Sequence, residues 1–144
     1  MKFDKIFNKV LIIDGSYMIH RSLHIPEVFE LKCSSGERTG GIFGFLRTLS
    51  SELRICGDYF PVVCFDEGLA PRRLAADPNY KKAMEREDKS KQVLTKEEAD
   101  IDYVTQYRKQ RNKLIEVLMY FGIPCLKFIP WEGDDLMYII SKIS

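Results

Sequence analysis

Glu132, Asp134 and Asp135 crowd three carboxylates into four residues, in Trp131-Glu-Gly-Asp-Asp-Leu136. Like charge at that density is unfavourable unless something positive sits beside it. A hard divalent cation with oxygen ligands is the simplest partner. A solvated turn leading into a helix is the plainer alternative, since acids suit a first helical turn. Two isolated aspartates bear on the choice. Asp14 ends the apolar run Val10-Leu-Ile-Ile-Asp14, and Asp66 ends Pro61-Val-Val-Cys-Phe-Asp66. Any one of these acids could simply cap a helix or turn. Together they offer five carboxylates from three distant segments, which points to one metal-binding edge.

Both apolar runs read as strands buried on two faces. Pro124-Cys-Leu-Lys-Phe-Ile129, just before the acidic cluster, is a third strand candidate. Helices are expected between them. Gly15-Ser16 makes a turn, and Tyr17 to Leu23 starts a helix. Residues 25 to 41 read as a loop. In Ile42 to Ile55, apolar residues at 42, 45, 46, 49 and 53 keep a helical period, with Gly57 as the stop. Ile101 to Phe121 gives a long amphipathic helix with Ile101, Val104, Tyr107, Leu114, Ile115, Leu118 and Phe121 on one side, capped by Gly122. Leu136 to Ile143 begins a last helix. Strands alternating with helices predict an α/β fold, a mostly parallel sheet flanked by helices in three Rossmann-like layers. Ligands of such sheets gather beyond the carboxyl ends of the strands, where each run delivers its acid.

Phosphate is the substrate chemistry that suits such an edge. Mg²⁺ commonly bridges to phosphate oxygens, and two ions can activate a water and stabilise the leaving oxygen of a phosphodiester. Candidate phosphate contacts are Arg21, Arg72, Arg73, Lys81 and Lys82, each of which could equally be a surface cation. Gly40-Gly41 precedes a helix and could present backbone N–H groups to phosphate. Tyr17 and Tyr80 could stack on bases or pack.

The remaining features bound the class. The chain has 144 residues, 45% hydrophobic, enough for one domain with a real core. The formal net charge of +1 neither favours nor excludes nucleic acid. No run reaches the length of a membrane span, and the first residues lack an apolar signal region. Cys33, Cys56, Cys64 and Cys125 form no Cys-x-x-Cys pair, which argues against thiolate zinc and fits a reducing, cytoplasmic compartment. Between residues 77 and 100, 13 of 24 residues are charged, a composition suited to an exposed segment.

In order, Leu11-Ile-Ile-Asp-Gly-Ser-Tyr17 with His20-Arg21, Thr39-Gly-Gly-Ile-Phe-Gly-Phe-Leu46, Val62-Val-Cys-Phe-Asp66 with Arg72-Arg73, and Asn79-Tyr-Lys-Lys82 form a pattern. Arg108-Lys-Gln-Arg111, Phe121-Gly-Ile-Pro124 and Trp131-Glu-Gly-Asp-Asp-Leu136 complete it. The set resembles the bacterial and phage 5′→3′ exonucleases, the flap-endonuclease family. The resemblance implies a PIN-like domain and Mg²⁺- or Mn²⁺-dependent hydrolysis of DNA at 5′ ends or flaps. It implies metal ligands at Asp14, Asp66, Glu132, Asp134 and Asp135, phosphate-holding residues at Arg21, Lys81 and Lys82, and a helical arch at 77–100. DNA contacts are expected from Gly40, Gly41, Arg72, Arg73, Tyr80 and Arg86.

Two departures qualify it. The family pattern Tyr-Lys-x-x-Arg has Met84 at its arginine position here, with Arg86 nearest, and the arch carries six basic and seven acidic residues. The family also continues with further strands, a second aspartate group and a helix-hairpin-helix motif. Residues 1–144 are therefore expected to be the N-terminal part of a nuclease domain, incomplete at its C-terminal side and needing a complementing polypeptide, with two ions in the complete enzyme. A non-catalytic nucleic-acid-binding or assembly subunit and a PIN-type ribonuclease are the alternatives.

Overall fold

The structure, a computed structural model, describes residues 9–67, 71–77, 79 and 97–143, excepting the side chains of residues 71, 72, 74 and 97–102. In chain order the elements are β1 (Lys9–Asp14), α1 (Gly15–Leu23), α2 (Pro26–Phe29), α3 (Gly40–Cys56) and β2 (Tyr59–Cys64). Then come α4 (Pro71–Ala76), α5 (Glu97–Tyr120), β3 (Cys125–Leu126) and α6 (Gly133–Ile143). The three strands are parallel and lie side by side in the order β1-β2-β3. β1 and β2 pair from Lys9 opposite Tyr59 to Asp14 opposite Cys64.

Strand alternation sends side chains to two different cores. Leu11, Ile13, Val63 and Phe65 pack toward α1, α3 and α5, against Ile19, Leu23, Phe45, Leu49, Leu114 and Leu118. Val10, Ile12, Val62, Cys64 and Leu126 pack toward Leu136 and Ile140 of α6. The sheet is thus covered on both faces, which is why its strands read as unbroken apolar runs. Helix layer, sheet and helix layer give the expected α/β architecture. All four cysteines are free, and burial pushes the Cys64 and Cys125 thiols up to about 11. Among the described residues no helix is long and apolar enough to cross a membrane.

Several elements differ from the sequence reading. β2 spans Tyr59–Cys64, so Asp66 lies two residues past the strand. Pro61 sits inside this central strand without breaking its ladder. The N–H groups of Val63 and Phe65 turn toward β3, bonding Pro124 O and Leu126 O. By the same alternation residue 61 turns that way too, before β3 begins, and needs no N–H there. β3 is only Cys125–Leu126, with Phe128 and Ile129 exposed beyond it. The expected 25–41 loop contains α2, with Pro26 in its first turn.

α5 starts at Glu97 and packs Tyr107, Leu114, Ile115 and Leu118 of the expected stripe into the core, with two exceptions and one addition. Val104 and Phe121 are exposed, whereas Gln110 is buried with Leu114 and Leu118. Most of the charged 77–100 segment lies outside the described residues.

Candidate functional site

The acid-bearing segments meet at the carboxyl edge of the sheet. Asp14 is the N-cap of α1, its Oδ1 accepting the Tyr17 N–H at 2.8 Å. Capping and a place at the edge therefore coincide in one residue. Asp66 is fixed from three directions. Its N–H donates to Ser16 Oγ at 2.9 Å, its Oδ1 accepts the Gly133 N–H at 2.6 Å, and its carbonyl accepts Arg111 Nη1 at 3.2 Å. Asp66 is thereby tied to α1, α5 and the start of α6 at once.

The Glu132–Asp135 turn builds its own helix start. The Glu132 carbonyl accepts the N–H groups of Asp135 and Leu136, while Asp135 Oδ2 accepts the Glu132 N–H at 3.4 Å. This reciprocal arrangement resembles a capping box. Glu132 and Asp135 are each only 2% exposed. Buried carboxylates need a cation nearby, and Arg73 of α4 supplies one. Its Nη1 is 2.7 Å from Glu132 Oε2, and its Nη2 is 3.3 Å from Asp135 Oδ1 and 3.8 Å from Asp134 Oδ2.

Asp134 stays largely exposed. Burial raises the Asp14 pKa above its ordinary value, and the Asp66 and Asp134 carboxylates push the same way, against the Tyr17 N–H. Asp14, Asp66 and Asp134 therefore share one negative field although they come from three separate segments.

Among the described residues, no three His, Cys, Asp or Glu side chains are grouped so as to hold a metal ion as they stand. What fits a hard divalent cation is the charge and the donor type. Oxygen donors converge, burial raises the Asp14 pKa with the neighbouring carboxylates adding to it, and the neighbouring acids already draw in a guanidinium.

Other expected site residues are placed differently. Arg73, expected to read phosphate, is engaged with the acids. The Gly41 N–H, expected to face phosphate, donates to the buried Gln110 Oε1 at 2.7 Å. Gly40 and Gly41 serve close packing: a Cβ on Gly40 would lie 1.6 Å from the Val28 carbonyl oxygen, and one on Gly41 3.1 Å from Leu23. Arg21 is exposed on α1 and makes no ion pair among the described residues. Arg72 lies on α4, but its side chain is outside the described part, as are Tyr80, Lys81, Lys82 and Arg86 entirely.

Beside Asp66 opens a cleft of about 500 Å³ lined by His20, Asp66, Glu67, Tyr107, Arg108 and Arg111. His20 stacks on Tyr107 at 4.0 Å between ring centroids, and its Nδ1 is 2.6 Å from Tyr103 Oη. Burial lowers its pKa, with His24 adding to the effect and Asp66 opposing it. The sequence placed Ser16 in a turn, Tyr107 on a helix's apolar side and Arg108-Lys-Gln-Arg111 in the family pattern, and gave none of them a site role. The available signal was Arg108-Lys-Gln-Arg111, a polar run inside a helical pattern, which ordinarily marks a solvated face.

With this geometry in hand, comparison places the chain among known proteins. Residues 9–144 match the family described as the 5′-3′ exonuclease N-terminal resolvase-like domain. The chain belongs to that family. A 5′-3′ exonuclease of Aquifex aeolicus (strain VF5) is 30% identical over 135 residues, covering 92% of this chain and 40% of that protein. The fold is similar to that of a T5 5′-exonuclease with divalent metal ions (zinc) bound, at TM-score 0.68 and 22% identity. That match covers 94% of this chain and 44% of the other. T5 D15 protein co-crystallised with metal ions gives TM-score 0.64 and 21% identity, covering 94% and 43%. The chain thus spans less than half the length of each of these relatives.

Proposed function

We propose that the chain is the metal-binding N-terminal part of a 5′→3′ exonuclease or flap endonuclease that hydrolyses DNA phosphodiesters using Mg²⁺ or Mn²⁺. The observation that carries this reading is the convergence of Asp14, Asp66 and Asp134 on one sheet edge, where the Asp66 and Asp134 charges add to the burial that raises the Asp14 pKa. Family membership supports the reaction class, and a zinc-bearing T5 structure of the same fold supports a divalent ion.

In this reading Asp14, Asp66, Glu132, Asp134 and Asp135 hold two cations in the complete enzyme, directly or through water. Bound there, such ions would activate water and neutralise the leaving oxygen. Arg21, Lys81 and Lys82 bear on the reacting phosphate. Arg72, Tyr80 and Arg86 contact the strand, and residues 77–100 arch over it. Full activity in this reading needs the remainder of the family fold, since the chain spans 40% to 44% of the relatives it matches. Four free thiols suit a bacterial or phage-infected host cytoplasm.

The test mixes the chain with 5′-flap DNA and Mg²⁺ or Mn²⁺, with and without a polypeptide carrying the remainder of the family fold. Metal-dependent cleavage is expected, abolished by Asp134→Asn with Asp135→Asn. Cleavage that never occurs, or survives both changes, refutes the reading. The cation already supplied to Glu132 and Asp135 by Arg73 favours one rival, a non-catalytic DNA-binding subunit. That rival requires DNA binding indifferent to metal and to these aspartates. RNA cleavage by the chain alone would instead identify a PIN-type ribonuclease.

A further inference from the structure

The acid edge carries a cation of its own. Arg73 of α4 lies on the same oxygens that the nuclease reading assigns to metal. Its Nη1 reaches Glu132 Oε2 at 2.7 Å, and its Nη2 reaches Asp135 Oδ1 at 3.3 Å and Asp134 Oδ2 at 3.8 Å. Three carboxylates of one turn thus meet one guanidinium. Asp135 is engaged at both oxygens, because its Oδ2 accepts the Glu132 N–H at 3.4 Å. Burial of Glu132 and Asp135 leaves these contacts little screened by water.

This arrangement has a consequence for an incoming divalent ion. Mg²⁺ holds carboxylate oxygens at about 2.1 Å. At that distance from Glu132 Oε2 or Asp135 Oδ1, the ion would share its oxygen with a guanidinium nitrogen. Two positive charges on one desolvated carboxylate repel each other. Arg73 cannot relieve the repulsion by losing a proton, since a guanidinium stays charged in proteins. It has to move. Its place on the six-residue α4 and its partly exposed side chain allow that. A turn closed on a guanidinium also fits the finding that, among the described residues, no three acids are grouped to hold a metal ion as they stand.

We propose that Arg73 is a built-in counter-cation that closes the acid edge, and that divalent metal loads the edge by displacing it. The inference rests on the nuclease reading for the presence of the metal and adds a control on its occupancy. At low cation concentration the edge stays closed on Arg73. When an ion enters, α4 is released from the start of α6.

The test uses the whole chain and Mn²⁺ alone, without DNA. Phenylglyoxal modification of Arg73 in the wild type, read by peptide mass spectrometry, is expected to rise as Mn²⁺ saturates the protein. Calorimetry should show Arg73→Gln binding Mn²⁺ about tenfold more tightly than wild type, the strength of one charge-assisted contact no longer opposing the ion. Arg73→Lys keeps the charge and should bind Mn²⁺ less tightly than Arg73→Gln. An Arg73 that merely positions the acids predicts the opposite sign, weaker metal binding once it is removed.

Equal or weaker Mn²⁺ binding by a folded Arg73→Gln overturns the displacement and leaves the metal reading standing. So does Arg73 reactivity that stays flat while the wild type saturates, a measurement that needs no variant to fold. Mn²⁺ bound by neither wild type nor Arg73→Gln overturns the displacement and the metal reading together.

Discussion

Glu132 and Asp135 lie almost out of reach of solvent, and the Arg73 guanidinium pairs with both. Removing one partner of a buried ion pair strands the other charge, at a cost of about 3–5 kcal/mol. Arg73→Ala should therefore lower unfolding stability in urea by an amount of that order, and Mn²⁺ should restore part of it. Stability unchanged by the substitution would show that the acids do not depend on Arg73.

His20 gives a pH dependence of definite sign. Burial holds its pKa below 6.5 in the folded chain. Between that lowered value and 6.5 the unfolded chain binds more protons, so this stabilising contribution is complete above 6.5 and is lost as pH falls. Thermal melts of His20→Asn should lose part of the wild-type decline below pH 6.5, and an unaltered decline contradicts this. The strand-end acids were readable in the sequence because each closes an apolar run. Gln110 and Ser16 were not. Their buried partners lie 69 and 50 residues away, and a polar residue in an amphipathic pattern looks solvated until that partner is known.

The helices hold the site through close contact at polar points. Gln110 of α5 accepts the first-turn N–H of Gly41, linking the helix that carries Arg108 and Arg111 to the start of α3. Gln110→Ala leaves a buried N–H without that acceptor, which costs about 1–3 kcal/mol. Chemical denaturation should register this, and an unchanged midpoint would mean that water replaces the amide. Gly40→Ala is a sharper probe of the α2–α3 contact. Its Cβ would meet the Val28 carbonyl, so α2 must shift, and faster proteolysis of the 25–41 region is expected. Unaltered proteolysis would mean the contact is looser than its geometry.

Helix periodicity identified α3 well, because its Phe45 and Leu49 face one core. On α5 it found Tyr107, Leu114, Ile115 and Leu118, but it turned the exposed Val104 and Phe121 inward and missed the buried Gln110. The ends of β2 and β3 depend on which strand lies alongside, and a single apolar run carries no record of its neighbours.

The molecule as a whole is a sheet between two helix layers, and its layer order followed directly from alternating apolar runs and amphipathic segments. What that alternation could not reveal is how the charges are distributed. A net charge of +1 conceals an acid edge, a guanidinium pinned into it and a partly cationic cleft alongside. A ligand that binds only the folded state stabilises it by about 2.7 kcal/mol at a hundredfold excess over Kd. Divalent cation should accordingly raise the melting temperature in a concentration-dependent way.

The central claim is that Asp14, Asp66 and the 132–135 turn form one cation-binding edge. Calorimetric titration of Mn²⁺ into the wild-type chain and into Asp134→Asn tests it most directly, because Asp134 is exposed and its loss should spare the fold. Even indirect ligand supports are worth at least about tenfold in metal affinity. Saturable binding by wild type, weakened at least that much in the variant, is the expected result. No binding by wild type, or equal binding by both proteins, would contradict it.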